Sequence, residues 1–233
     1  MYELQREGDI NTTVLGLFPT PLYTTVIPNE LSVAANFFDK LEHETNKGGK
    51  EIDYGTHSKN TYVMNEPECK DLADWILVRV KDFASSILLY DYEDYTFSQT
   101  WVTYKEPGQS HVAHSHPNSL ISAVFFYGYG TEETPAITFH RMSGMHSMPN
   151  IQAKVKSDRR NAEFSWDTFN INFQPGLLLI FPSHFYHSVP RNTTDFTRKS
   201  LSMNIVYFLK NIVPKGKLGD PNSLTELWFE KVI

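Results

Sequence analysis

Apolar residues recur at two different spacings along this chain, and the change from one to the other falls near Tyr90. Before it, Leu31, Ala34, Ala35, Phe38 and Leu41 follow a helical repeat. A helix is therefore expected from a cap at Ser32 to about Thr45, ended by the pair Gly48 and Gly49. A longer repeat, Leu72, Trp75, Ile76, Val80, Phe83 and Ile87, predicts a second helix from about Pro67 to Leu89. Ahead of both, the β-branched stretch from Leu15 to Ile27, punctuated by Pro19, Pro21 and Pro28, reads as an entering strand with irregular edges. These stripes are read as core.

After Tyr90 the texture becomes that of strands. Thr96 to Tyr104, Leu120 to Tyr129, Ala136 to Arg141, Phe169 to Gln174, Leu177 to Phe181 and Lys199 to Leu209 are short β-rich runs separated by Pro, Gly and Asn. Six closely spaced strands after two helices predict an α+β chain, mainly β, whose sheet part is a sandwich or barrel. Residues 142 to 168 break the spacing: Met142, Met145, Met148, Lys154, Lys156, Arg159 and Arg160 follow no period, and the stretch reads as a lid between two strands. Ser223 to Ile233 reads as a capped helix that packs Leu224, Leu227, Trp228 and Val232 on the body or on a second subunit, so a homodimer is one expectation.

Composition narrows the class. A chain of 233 residues with 40% apolar content can bury one sizeable core, and a single domain over residues 1–233 is expected. The formal net charge of −6 argues against nucleic acid as a partner. Cys69 is the only cysteine, which excludes an intrachain disulfide and a Cys-based zinc site. The first 30 residues hold Glu3, Arg6, Glu7 and Asp9 and no apolar core of a secretory signal, and no apolar run reaches the roughly 20 residues of a membrane span. The location read from this is cytoplasmic, or host cytoplasm for a phage-encoded chain, with no membrane partner.

The chemistry is concentrated in the histidines. Residues 111 to 116 read His-Val-Ala-His-Ser-His, His187 follows 71 residues past His116, and Arg198-Lys-Ser200 lies beyond that. Side chains two apart on a strand point the same way, so His114 and His116 can grip one ion while His187 arrives from a neighbouring strand. His111 breaks that parity and is read as a rim residue. His184 and His187 lie three apart and face opposite sides of an extended segment; His187 opens Ser188-Val189 and is chosen, whereas His184 sits in the Pro182-Ser183 turn. His43, His57, His140 and His146 have no partner at ligand spacing and are read as structural or surface residues, with His140 and His146 near the 142–168 excursion.

A set of motifs in fixed order carries a family resemblance. Phe18-Pro-Thr-Pro-Leu22, Trp101 to Gly108, His114-Ser-His116-Pro117, Leu120 to Tyr127, Pro175 to Ser183, His187-Ser-Val189 and Arg198 to Asn204 together resemble the 2-oxoglutarate- and Fe(II)-dependent oxygenases. Within them the chain is similar to a bacterial and phage branch with an H-x-H-P motif. The resemblance implies a double-stranded β-helix, a jelly-roll, cupin-like barrel over about 95–210, with the helical part at about 30–90 packed on one face. It implies Fe(II) as cofactor, 2-oxoglutarate as co-substrate, dioxygen as oxidant and release of succinate and CO2 as a prime substrate, a small molecule or protein side chain, is hydroxylated. His114 and His187 match the two histidine ligands, and Arg198 with Ser200 the R-x-S grip on the distal carboxylate. Tyr104 and Asn204 are further expected contacts of the co-substrate, although Tyr104 stands one residue out of the spacing before Gly108.

One position departs from the pattern. The usual facial triad is two histidines and a carboxylate, and His116 stands where the carboxylate belongs. A three-histidine site of His114, His116 and His187 is favoured, with a two-histidine site as the other option. Two other classes fit the same residues: a three-histidine cupin-like dioxygenase independent of 2-oxoglutarate, and a barrel that holds metal without catalysis. In the second of these, Arg198 need not face the metal.

Overall fold

A computed structural model describes residues 2–3, 13–14, 19–28, 34–47, 53–91, 94–128, 135–141 and 168–208. In chain order the strands are β1 (Tyr2–Glu3), β2 (Thr13–Val14), β3 (Tyr23–Val26), β4 (His43–Lys47), β5 (Asp53–Ser58), β6 (Asp94–Lys105), β7 (His111–His114), β8 (Ile121–Tyr127), β9 (Pro135–His140), β10 (Thr168–Asn172), β11 (Leu177–Pro182), β12 (His187–Val189) and β13 (Arg198–Phe208). The helices are α1 (Ala35–Phe38) and α2 (Lys70–Asp82). Nearly all of the 142–168 excursion, the Ser223–Ile233 segment, His146, Ser32 and the glycines at 48 and 49 lie outside the described residues.

Seven strands form one sheet in the order β3-β11-β8-β13-β6-β5-β4, and four form a second, β10-β9-β12-β7. Their ladders are antiparallel. The long strands of the larger sheet are covered on both faces, which explains why β8 and β11 are buried at every position. Side chains alternate between the faces with period two. Ile121, Ala123, Phe125 and Tyr127 of β8, Leu201, Met203 and Ile205 of β13, and Val102 and Tyr104 of β6 pack with α2 residues Leu72, Ile76 and Val80. Val124 and Phe126 of β8 and Leu177, Leu179 and Phe181 of β11 face the other way and pack with Ala136 and Ile137 of β9. This two-sheet arrangement with a helix on the outer face is the double-stranded β-helix, mainly β, anticipated above. Phe38, Phe83, Phe125, Phe173 and Phe181 are fully buried, each worth about 1.5–3 kcal/mol of apolar burial.

The long second helix forms as expected, from a 3-10 turn at Pro67–Cys69 through α2 to Ile87, but its last five residues, Phe83–Ile87, open into a π turn. A π turn inserts an extra residue and advances the phase of the stripe. Ile87, expected on the apolar side, is consequently 54% exposed, and Leu88 packs against the core instead.

The first helix is corrected. Among the described residues of that stretch, helix is confined to the single turn Ala35–Phe38, after Ala34 in the left-handed region at φ 51°. After a turn at 39–42, the C-terminal end of the expected helix is strand: β4 pairs with β5 through His43↔Ser58, Glu44↔His57 and Thr45↔Thr56, and β5 continues the large sheet onto β6. Backbone pairing to an existing sheet outweighs the weak helical preference of His43-Glu44-Thr45. Gly55, at φ +80°, lets β5 lie close to β6; a Cβ there would collide with the Tyr104 carbonyl. Among its described residues, the entering strand is confined to Tyr23–Val26, paired with Leu177–Ile180.

Candidate metal and co-substrate site

The smaller sheet brings the histidines together through its register. His114 on β7 is the direct partner of His187 on β12, and His111 is the partner of Val189. Three residues of β12 therefore face four of β7, a bulge that shifts the parity of β7. His111, assigned to the opposite face by simple alternation, thus comes to the same side, its ring centroid 4.5 Å from that of His114. His116 follows the strand; its backbone N–H donates to the Ser183 carbonyl at 2.9 Å. Its ring lies parallel to that of His187, centroids 5.2 Å apart and planes 3° apart, and stacks on Trp101 at 5.9 Å.

One ring nitrogen from each of His114, His116 and His187 lies within 4.8 Å of the others. In two of the three the tautomer follows from the partner. His114 Nδ1 meets the Val112 carbonyl at 2.9 Å, and His187 Nδ1 meets the Phe185 carbonyl at 2.9 Å. A carbonyl only accepts, so both Nδ1 atoms carry the proton and both Nε2 atoms present a lone pair. A metal-binding histidine is commonly oriented by such a bond from its other nitrogen. A hydrogen bond with Asn204 orients His116. Burial is the main cause holding all four imidazoles below their ordinary 6.5: His111 and His116 to about 4, His187 to about 3, and His114 also downward. At neutral pH they are neutral nitrogen donors. The donor set fits a divalent first-row transition ion, for which imidazole is a suitable ligand.

The histidines line one wall of a cavity of about 90 Å³. Arg198 and Ser200, two apart on β13, line the same cavity, as does Ser202. Arg198 is buried, and burial lowers its guanidinium to about 10, still charged at neutral pH. One of its N–H groups donates to the Pro190 carbonyl at 3.1 Å. Arg198 thus faces the same space as His114 and His187, the arrangement required if it serves a ligand of a bound metal.

Two expected co-substrate contacts take other places. Tyr104 is corrected: it faces the helix-side core, its hydroxyl donating to the Phe38 carbonyl at 2.7 Å. The reason is strand parity, since Trp101, Thr103 and Lys105 line the cavity and Val102 and Tyr104 point away. Asn204 is buried beside His116 and outside the cavity lining, where it braces an imidazole. His184 is exposed in its turn. His140 bonds Ser188 Oγ at 2.8 Å. Sequence reasoning missed Lys105, Thr103 and His57, all in the cavity wall. The alternation of Trp101, Thr103 and Lys105 against Val102 and Tyr104 was the available signal.

Residues 99–204 match the family model described as "Putative 2OG-Fe(II) oxygenase". Among solved structures, the non-heme α-ketoglutarate-dependent epimerase SnoN from nogalamycin biosynthesis aligns with a TM-score of 0.56 at 16% identity, over 87% of this chain and 88% of that one. A 2OG-Fe(II) oxygenase family oxidoreductase from Burkholderia pseudomallei aligns with a TM-score of 0.54 at 13% identity, covering 78% and 84%. HygX from Streptomyces hygroscopicus, solved with nickel and 2-oxoglutarate, aligns with a TM-score of 0.52 at 13% identity, covering 80% and 82%. At such identities the structural likeness speaks for the fold. No curated protein matches the chain in sequence. The matched segment runs from within β6 to within β13 and includes the H-x-H, His187 and R-x-S positions, so this part of the chain is similar to the 2-oxoglutarate- and Fe(II)-dependent oxygenases.

Proposed function

We propose that this Fe(II)- and 2-oxoglutarate-dependent oxygenase hydroxylates its prime substrate at a three-histidine site, His114, His116 and His187, with Arg198 and Ser200 holding the distal carboxylate of 2-oxoglutarate, all within one domain. The observation that carries the reading is the shared cavity: three convergent neutral imidazoles on one wall, and on the facing sheet a buried arginine with a half-buried serine two residues on. Bound iron supplies the oxygen activation and electron transfer that the protein side chains here do not.

The chain's own groups do the positioning. His114 and His187 are held in the correct tautomer by the Val112 and Phe185 carbonyls. His116 is clamped between Trp101 and His187 and tethered to Asn204. Arg198 offers a planar, charge-assisted grip to a carboxylate, for which lysine is a poorer match, and Ser200 adds a hydroxyl on the same face. Phe126, Ile137 and Phe181 make the adjoining wall apolar and restrict water. Three neutral ligands also leave the metal one unit more positive than a two-histidine, one-carboxylate set, which favours an anionic co-substrate.

Calorimetric titration of 2-oxoglutarate into Mn(II)-loaded protein tests this reading. Binding that requires the metal and weakens about 10–100-fold in Arg198→Met, the loss of one or two charge-assisted hydrogen bonds, is expected. Metal binding without 2-oxoglutarate binding would instead favour the 2-oxoglutarate-independent dioxygenase.

A further inference from the structure

His116 differs from the other two candidate ligands in what holds its outer nitrogen. His114 and His187 meet the backbone carbonyls of Val112 and Phe185, which only accept. His116 is held by a side-chain amide, that of Asn204. An amide has an accepting end and a donating end, and the choice between them decides what the ring can do. With Oδ1 toward the ring, the outer nitrogen of His116 keeps its proton and the inner one presents a lone pair to a metal. With the amide turned over, Nδ2 donates to the outer nitrogen, the proton moves to the inner one, and no lone pair is left for an ion.

A chain of buried hydroxyls settles that choice. Asn204 on β13 is the direct partner of Ser122 on β8, and Ser122 Oγ lies 3.5 Å from Asn204 Oδ1. Ser183, the residue after β11, completes the chain, its Oγ 2.8 Å from that of Ser122. Ser122 is 2% exposed, Ser183 1% and Asn204 6%, so each hydroxyl proton needs a protein acceptor. Were Ser122 to donate to Ser183, the Ser183 proton would meet no other acceptor among the described residues. With Ser183 donating to Ser122 and Ser122 to Asn204, every proton is placed. Oδ1 is then the end of the amide that gathers donors, one from Ser122 and one from His116. The backbone is pinned around the same point: the Asn204 carbonyl accepts from Ser98 Oγ at 3.2 Å, and the Ser183 carbonyl accepts the His116 N–H.

We propose that the Ser183–Ser122–Asn204 chain fixes the tautomer of His116 and so makes the third histidine a ligand, with Ser122 a positioning residue two hydrogen bonds away from that imidazole. The inference rests on the three-histidine reading proposed above.

The test uses protein saturated with Co(II), a paramagnetic probe of imidazole ligands. Each coordinated histidine places one N–H close to the ion, so native protein should show three strongly shifted proton signals that vanish in D2O. His116→Ala should remove one of them. Ser122→Ala should move that same signal and speed its exchange with water several-fold, while the two held by Val112 and Phe185 stay in place. It should also weaken Co(II) affinity about 10-fold, the low end for losing an outer partner of a ligand. Asn204→Asp supplies a rescue: a carboxylate accepts at either oxygen, so Ser122→Ala made in that background should change neither signal nor affinity. An unmoved His116 signal in Ser122→Ala overturns the proposal. So does an equal change in all three signals, which would mark a general loosening, or a Ser122→Ala effect undiminished beside Asn204→Asp, which would assign Ser122 a role apart from the amide. If every shifted signal of the native protein survives His116→Ala, the three-histidine reading fails first and this inference falls with it.

Discussion

At the scale of single residues, the choice between His184 and His187 separates the metal reading from a coincidence of histidines. His187 is buried and its Nδ1 proton is committed to Phe185, while His184 is exposed in a turn. His187→Ala should lose metal on desalting, and His184→Ala should retain it; metal analysis of the two proteins decides. Asn204→Ala removes a brace of His116 and should weaken metal affinity about 10–100-fold, the usual cost of losing an outer partner of a ligand. The depressed histidines also set an acid limit. A group that titrates near 3 or 4 when folded and near 6.5 when unfolded binds its proton first in the unfolded chain. The metal-free fold therefore loses stability as pH falls from about 6.5 toward 3. The Tm of chelated protein should fall steadily over that window, and the fall should be shallower in His187→Asn. An unchanged slope in that variant would contradict the assignment.

At the scale of elements, parity is what the sequence conveyed well in some strands and poorly in others. Arg198 and Ser200 share a face because β13 is regular there, and simple alternation was enough to pair them. His111 escaped the same rule because the β7 bulge, set by how many residues β12 offers opposite, is a tertiary feature. Tyr104 was misplaced because its neighbours were not read as an alternating set, and the β4–β5 hairpin was hidden because its pairing partner, β6, lies about forty residues on. A loop buttresses this register. Buried Asn192, between β12 and β13, donates from Nδ2 to the carbonyls of Lys105 at 2.8 Å and Phe196 at 2.7 Å, and its Oδ1 accepts from Thr194. Asn192→Ala should cost about 1–3 kcal/mol in denaturant unfolding, the price of leaving such buried groups unpaired. A change within a few tenths would mean that the loop does not hold the end of β6.

At the scale of the whole molecule, the large sheet separates stability from chemistry. Its outer face packs on α2 through a core that contains none of the candidate ligands, and its inner face carries Arg198, Ser200, Thr103 and Lys105. Removing metal should therefore leave the fold standing, unlike a zinc finger that unfolds without its ion. Far-UV circular dichroism should be unchanged on chelation, with a lower Tm that metal and 2-oxoglutarate restore by mass action, about 2.7 kcal/mol at a hundred times the Kd. The order of motifs made the barrel and its ligand positions legible from sequence. The cavity-facing row of β6, Trp101, Thr103 and Lys105, was not read, although its alternation with Val102 and Tyr104 carried the signal. The central claim is tested most directly by incubating Fe(II)-loaded protein with 2-oxoglutarate and oxygen and measuring succinate. Iron- and oxygen-dependent succinate formation that disappears in His187→Ala is the predicted result, whereas 2-oxoglutarate left intact by fully iron-loaded native protein would contradict it.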